Sequence, residues 1–144
     1  MTPTTDTTLL AQEWATLQDN HEQYEKTTAW VKLAAVALGC LGLALWPQEW
    51  MVAALVVLLW GQESILRTSQ ARLGERLLQV ESALRGVAPL QSALPCQLHT
   101  QWLAQRQGTG TGGLLAEYAA HAKRPTVVFP YGPLLLIQAA LQFT

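Results

Sequence analysis

The chain has 144 residues, of which 50% are hydrophobic and 13% charged, and its formal net charge is −1. This length fits one small domain, and the balanced charge gives no electrostatic basis for binding nucleic acid or an acidic substrate. The two cysteines, Cys40 and Cys96, are far apart in sequence, and Cys40 lies inside an apolar run, which argues against a disulfide framework.

The first predicted element, residues 1–28, is an amphipathic helix that we expect in the cytoplasm. From Leu10 onward the side chains alternate at spacings of four and three, a heptad pattern that begins with Leu10, Trp14 and Leu17. The pattern includes His21, which we interpret as a polar residue that sets register; a pH-sensitive element is the alternative. No proline or glycine interrupts the stretch, so the helix is predicted to continue into the apolar run that follows.

Residues 29–66 contain two apolar runs that are separated by a short polar step around Pro47 and Gln48. Each run is close to the lower limit of about 17 residues for crossing a bilayer, and neither has the polar stripe of a surface helix. So short a link permits only an antiparallel reversal. The sequence therefore predicts a transmembrane helical hairpin. The alternative is a pair of helices buried in a soluble core, which conflicts with the small interior of such a chain.

Aromatic and small residues in the two runs support membrane insertion and close packing. Four tryptophans lie near the ends of the runs, where amphipathic rings anchor at the level of the lipid headgroups. They are Trp30, Trp46, Trp50 and Trp60. Ala35, Gly39 and Gly42 form a face of small residues that lets helix backbones approach closely. This face serves either the hairpin itself or a contact with a neighbouring protomer.

One pair of ionisable residues lies within the two runs. Lys32 and Glu63 are each about 15 residues from the turn, so at about 1.5 Å per residue they reach the same depth. Ionisable residues inside membrane spans usually pair with each other or mark a pathway. We predict a contact between Lys32 and Glu63 that bridges the two helices. The alternative is that Lys32 extends alone to the headgroups while Glu63 points into water.

Residues 67–87 repeat the heptad pattern, and we predict that they pair with residues 1–28 as an antiparallel cytoplasmic coiled coil. The first arm is mainly acidic and the second mainly basic. Folding about the turn predicts the pairs Glu25 with Arg72, Asp19 and Glu22 with Arg76, and Glu13 with Arg85. Exposed pairs contribute about 0.2–1 kcal/mol each, so they would set register more than stability. The alternative is two solvated helix faces that differ in sign.

Residues 88–124 are predicted to contain loops, short helices and a Gly-rich linker. The linker, GTGTGG at 108–113, formally matches the Gly-x-Gly-x-x-Gly dinucleotide pattern. No predicted strand precedes it, so we assign no cofactor. Cys96 and His99 have the spacing of two metal ligands, but zinc takes four and no second pair stands at ligand spacing. We therefore assign no metal or catalytic site.

Residues 125–144 form a third apolar stretch, preceded by Lys123 and Arg124. Pro130 and Pro133 break it, so we predict a broken third membrane segment, which neighbouring helices would tolerate by satisfying the freed backbone groups. A re-entrant or interfacial segment packed on the hairpin is the alternative. Basic residues follow the second run and are absent from the turn. The positive-inside rule then places the N-terminus and both arms in the cytoplasm.

A hairpin followed by Gln62-Glu63, Arg67 and the run Leu73-Gly74-Glu75-Arg76-Leu77 resembles small, largely uncharacterised bacterial inner-membrane proteins. The resemblance brings no activity with it. We predict an all-α integral protein of the plasma (inner) membrane. It would act as a non-enzymatic scaffold or accessory subunit that contacts the bilayer and assembles with itself or with a larger membrane complex. The alternatives are an oligomeric ion-conducting pore and a membrane-surface enzyme that uses the region from Cys96 to His121.

Overall fold

A computed structural model of the chain describes residues 3–45, 50–89, 94 and 96–142. These residues form five α-helices, and no β-strand occurs among them. The helices are α1 (Pro3–Leu45), α2 (Trp50–Leu84), α3 (Leu98–Ala122), α4 (Pro125–Val128) and α5 (Tyr131–Gln142). At about 1.5 Å per residue, α1 and α2 are about 64 and about 52 Å long, so each is longer than the hydrocarbon core of a bilayer. The prediction of a helical protein is confirmed for the described residues.

Among the described helices, α1 and α2 are long and apolar enough to cross a membrane. The most apolar stretch of α1 is 22% buried and that of α2 is 28% buried. A core helix in a soluble protein buries most of such a stretch, because removing apolar surface from water drives folding. Large apolar side chains remain exposed on both helices, among them Leu33, Leu41 and Leu58. Such a surface suits lipid better than water.

The chain divides into two compact units, which consist of residues 1–24 with 69–114 and of residues 25–68 with 115–144. The first unit has an apolar cluster that α1 and α2 build together, with α3 packed against it. Its members are Leu10, Leu17, Leu77 and Val80, with Leu73 and Leu98 beside them. The second unit has a corresponding cluster of Ala35, Val56, Tyr131 and Leu134.

Burial along α2 follows the predicted heptad pattern. Residues seven apart are buried in both units, namely Val56, Glu63, Gln70 and Leu77. The agreement in α1 is weaker, because Trp14 is 38% exposed although it lies on the predicted seam. After Ala35 the next buried position is Gly39, whereas the pattern predicts Leu38. The seam shifts here because α5 packs on α1.

The small residues of α1 are used inside the chain. A Cβ atom at Gly42 would lie 2.7 Å from Val52 Cγ1, and one at Gly39 would lie 3.0 Å from Leu134 Cδ1. Gly42 therefore allows the close approach of α2, and Gly39 makes room for α5. The sequence left two roles open for this face, packing within the chain or contact with a neighbouring protomer. The contacts of Gly39 and Gly42 are packing within the chain.

Two glycines with positive φ stand where helical geometry is interrupted. Gly86 has φ 70° and follows the end of α2 at Leu84, three residues before the predicted end of the second arm. Gly110 has φ 60° and ψ −174° and breaks α3. The predicted linker at 108–113 thus contains a single non-helical residue, with helix on both sides. Glycine tolerates this conformation because it has no Cβ atom, while its neighbours keep helical geometry.

The third apolar stretch forms two short helices. The break between them lies at Phe129 and Pro130, so one of the two predicted prolines is at the break, whereas the other, Pro133, lies inside α5. The longer helix, α5, has 12 residues, which corresponds to about 18 Å at 1.5 Å per residue, against about 30 Å for a hydrocarbon core. Neither α4 nor α5 is therefore long enough to cross a bilayer by itself.

Candidate functional site

A cluster of charged side chains surrounds Glu63 in the second unit. The Glu63 side chain is 0% exposed, and its Oε1 atom lies 3.2 Å from Lys32 Nζ and 3.6 Å from Arg67 Nε. The two cations are partly exposed, at 25% for Lys32 and 29% for Arg67. A carboxylate that is removed from water needs such partners, because desolvation strongly disfavours an isolated charge.

The positions of these residues along the helices explain the cluster. Glu63 lies on the buried heptad positions of α2, which face α1, and Arg67 follows it by one helical turn at spacing i,i+4. The structure places Lys32 and Glu63 together, as the depth argument predicts. The contribution of Arg67 was missed by the sequence interpretation, although the i,i+4 spacing of opposite charges is a signal that could have found it.

The end of α3 and the segment after it are bonded to the same part of α1 and α2. Lys32 Nζ donates a hydrogen bond to the carbonyl oxygen of Thr126, and Trp60 Nε1 donates one to the carbonyl oxygen of Ala122 at 3.2 Å. The Trp60 ring also stacks on Tyr131, with ring centroids 6.3 Å apart and an interplanar angle of 8°. One cation and one aromatic side chain thus hold this segment in place.

The Tyr131 hydroxyl completes the surroundings of the carboxylate. It is buried and interacts with Glu63, without a hydrogen bond of standard geometry.

Two other buried polar side chains of α2 are satisfied by the backbone of their own helix. Ser64 Oγ donates to the carbonyl oxygen of Trp60 at 2.9 Å, and Thr68 Oγ1 donates to that of Ser64 at 2.9 Å. Such bonds let hydroxyl groups lie on a buried helix face without an external partner.

The first unit has a different buried ion pair, between Arg76 and Glu13. Arg76 is 2% exposed, and its Nε atom donates to Glu13 Oε1 at 2.9 Å. Arg76 Nη2 also donates to the carbonyl oxygen of Leu94 at 2.8 Å, and the backbone N–H of Cys96 donates to Glu13 Oε2 at 3.1 Å. The pair therefore ties α1, α2 and the segment before α3 together.

This contact corrects the predicted pairing of the arms. Glu13 was expected near Arg85 and pairs instead with Arg76, for which Asp19 and Glu22 were expected. Arg85, which directly follows α2, contacts Glu81 of that helix at 3.4 Å. The reason is that the carboxylate that pairs with the buried guanidinium also accepts the N–H of Cys96, while the guanidinium itself donates to the carbonyl oxygen of Leu94. A register that is predicted only from the position of the turn takes no account of such backbone groups.

Two other predicted sets of residues have mixed outcomes. The Arg72 guanidinium lies 5.5 Å from the centroid of the Trp102 ring, a neighbour that the arm-pairing argument did not consider. Of the proposed interface tryptophans, Trp30 and Trp50 are exposed. Trp60 is half-buried, stacks on Tyr131 and donates a hydrogen bond to the carbonyl oxygen of Ala122. Trp46 lies outside the described residues, as does the predicted turn at Pro47 and Gln48.

The residues considered for metal or catalytic roles are distributed over both units. Cys96 is exposed in the first unit, and its backbone is bonded to Glu13, whereas His121 is buried in the second unit. Within the part of the chain that the structure describes, no three His, Cys, Asp or Glu side chains are grouped so that they could hold a metal ion.

No family model matches this chain, and no curated protein and no solved structure is significantly similar to it. The resemblance to bacterial inner-membrane proteins therefore stays a prediction.

Proposed function

We propose that the protein is a non-enzymatic helical scaffold or accessory subunit of a membrane assembly. The observation that carries the proposal is that, in the second unit, polar side chains contact one another inside the chain while large apolar side chains are exposed. Charged and aromatic groups near Glu63 fasten helices to one another, while large apolar side chains of α1, α2 and α5 point outward. Polar groups that are committed to internal contacts stabilise an architecture, and exposed apolar faces suit lipid and neighbouring helices.

In this proposal α1 and α2 form an antiparallel transmembrane hairpin in the plasma (inner) membrane, with their polar ends paired in the cytoplasm. The contacts of Gly42 with Val52 and of Lys32 with Glu63 support the antiparallel arrangement, because the residue numbers fall on one helix as they rise on the other. The mixed core of α1 and α2 in the first unit supports paired arms.

We further propose that α4 and α5 enter the bilayer beside the hairpin without crossing it. Three contacts support this placement. Thr126 accepts a hydrogen bond from Lys32, Tyr131 stacks on Trp60, and Leu134 lies over Gly39. Because α5 is short, this arrangement accounts for the broken apolar stretch better than a third full span does.

An ion-conducting pore is the weaker alternative. A pore needs polar groups that face water along the span, and the buried carboxylate of the hairpin is enclosed by Lys32 and Arg67 of its own chain. A membrane-surface enzyme that uses the Cys96 to His121 region is a second alternative, although among the described residues no three His, Cys, Asp or Glu side chains are grouped to hold a metal ion. Single-channel recording on the purified protein distinguishes the pore, since a scaffold gives no current.

The scaffold is tested by cross-linking at native abundance. A photo-reactive residue at Leu33 or Leu136, both exposed on apolar faces, should give a discrete protein adduct in intact membranes. The same residue at Val56, which is buried within the chain, is the matched control and should give none. Adducts to lipid alone at every exposed position, together with recovery of only the monomer after mild extraction, would refute the proposal.

The orientation is tested by labelling single cysteines in intact cells, after Cys40 and Cys96 have been replaced. An impermeant reagent should modify a cysteine at Gln48 and leave one at Gln79 unmodified, because the proposed turn is outside and the arms are inside. The reverse pattern would overturn the orientation but not the hairpin.

A further inference from the structure

Two neighbouring cations, Lys123 and Arg124, lie between α3 and α4 in the second unit, and both side chains are exposed. Their backbone N–H groups donate to the carbonyl oxygens of Ala119 and His121. Within the described residues, neither side chain takes part in an ion pair or a hydrogen bond. Glu117, the acidic residue closest to them in sequence, is half-buried and takes part in other contacts. The charges of this cationic pair are therefore not balanced within the described chain.

Contacts on both sides hold the cationic pair at a defined level of the hairpin. Ala122, just before the pair, accepts a hydrogen bond from Trp60 Nε1 at 3.2 Å. Thr126, just after it, accepts one from Lys32 Nζ. Lys32 is three residues from the start of the apolar region 29–66, which is about 4.5 Å along a helix. In the proposed topology the cationic pair is therefore held near the depth of the cytoplasmic headgroups.

Exposed aromatic side chains lie close to the same level. Phe129 is 66% exposed and follows Arg124 by five residues, and Trp30 is 72% exposed and precedes Lys32 by two. Aromatic rings beside basic side chains are typical of the membrane interface, where the cations meet an anionic surface. A soluble anion at the cationic pair would leave both rings in water, so the combination fits a lipid surface better.

We propose that the cationic pair binds the phosphate groups of anionic phospholipids in the cytoplasmic leaflet, with Phe129 packed among their acyl chains. The Lys123 ammonium is a compact donor, and the Arg124 guanidinium offers several N–H groups in one plane, which suits a phosphate. Lipid then holds this segment from outside, while Lys32 and Trp60 hold it from inside. The inference rests on the proposed membrane placement and adds a class of partner to it.

The test uses the full-length protein in vesicles of phosphatidylcholine, with a bimane label on a single cysteine. After Cys40 and Cys96 have been replaced, the cysteine is introduced by Thr126→Cys, at an exposed position beside the cationic pair, or by Leu136→Cys, at an exposed position of α5. Lipids that carry bromine near the headgroup end of their acyl chains quench the label on contact. Brominated phosphatidylglycerol is compared with brominated phosphatidylcholine at increasing mole fractions.

With the label of Thr126→Cys, phosphatidylglycerol should quench at a mole fraction about tenfold lower than phosphatidylcholine does, because each cation near an anionic surface contributes about fivefold to binding. With the label of Leu136→Cys, the two lipids should quench alike, since α5 contains no charged residue. Equal quenching at Thr126→Cys would overturn the lipid site, whereas the membrane placement stands if Leu136→Cys is quenched. If neither lipid quenches Leu136→Cys, the placement itself is refuted, and the lipid site with it.

Variants then identify the residues that bind the lipid. K123Q and R124Q should each lower the preference for phosphatidylglycerol about fivefold, and the double variant should remove it. R85Q is the matched control, because it removes one charge from an exposed arginine of the first unit that contacts Glu81. It should keep the preference of the wild type. A preference that survives in the double variant, or that falls equally in R85Q, would overturn the assignment.

Discussion

Glu63 and Lys32 should be energetically coupled, and a double-mutant cycle measures the coupling directly. The variants are Lys32→Met, Glu63→Met and the double variant, since methionine roughly keeps the volume of both side chains. The two single variants differ in the charged groups that remain. Lys32→Met leaves a fully buried carboxylate with Arg67 at 3.6 Å as its remaining ion-pair partner. Glu63→Met leaves two cations that are each about a quarter exposed.

The magnitude follows from burial. Removing one partner of a fully buried ion pair costs about 3–5 kcal/mol, and exposed pairs contribute about 0–1 kcal/mol. Because Lys32 is 25% exposed and Arg67 stays beside the carboxylate, we expect about 2–3 kcal/mol for Lys32→Met. Glu63→Met should cost less, about 1–2 kcal/mol, since both remaining cations can extend toward water. The double variant should cost about as much as Glu63→Met alone, so the coupling energy is about 2–3 kcal/mol.

Thermal unfolding in detergent provides the measurement, with a shift of the midpoint of about 2–4 °C per kcal/mol for a chain of this size. If the costs of the two single changes add up in the double variant to within about 0.5 kcal/mol, the two groups are not coupled and the reasoning is refuted. Exchange of the two charges is not a neutral control, because a cation at position 63 would face Arg67 one turn away.

Two further predictions concern packing and the second ion pair. Gly42→Ala should destabilise the protein by about 1–3 kcal/mol, because the new Cβ atom would meet the stiff side chain of Val52. The control is Gly61→Ala, which should stabilise the protein by about 0.5–1 kcal/mol, because nothing lies within 4 Å of the new Cβ atom. Equal thermal midpoints of the two variants would contradict the close approach of the helices at Gly42. Arg76→Met should cost about 3 kcal/mol and should speed proteolysis between α2 and α3. Arg85→Met, the exposed control, should change the midpoint and the cleavage rate very little, and similar effects of the two would contradict the role of Arg76.

Much of the helical layout could be predicted because one helix determines its own periodicity. Apolar side chains at spacings of three and four define a face without knowledge of the partner. The buried positions Val56, Glu63 and Gln70 on α2 therefore follow from the sequence alone. Two apolar stretches long enough to cross a membrane can likewise be recognised from composition.

The contacts of the third apolar stretch could not be predicted in the same way. Thr126 contributes a backbone carbonyl, which every residue has, and the partner of Trp60 is also a carbonyl group. Backbone acceptors carry no sequence signature, so nothing in the pattern indicates which side chain meets them. The packing of Leu134 over Gly39 is similarly invisible, because a small residue indicates that something comes close without indicating what.

The two ion pairs explain why one charge prediction placed the right residues together and the other did not. Lys32 and Glu63 lie at equal distance from the predicted turn, and each helix rises by a fixed amount per residue, so their common depth follows from counting. Glu13 and Arg76 break the same counting rule. Arg76 is buried, and the carboxylate that reaches it also accepts the N–H of Cys96, so the choice of partner depends on where a loop lies. Counting along helices therefore works for pairs that only two helices determine, and it fails where an irregular segment supplies part of the hydrogen bonding.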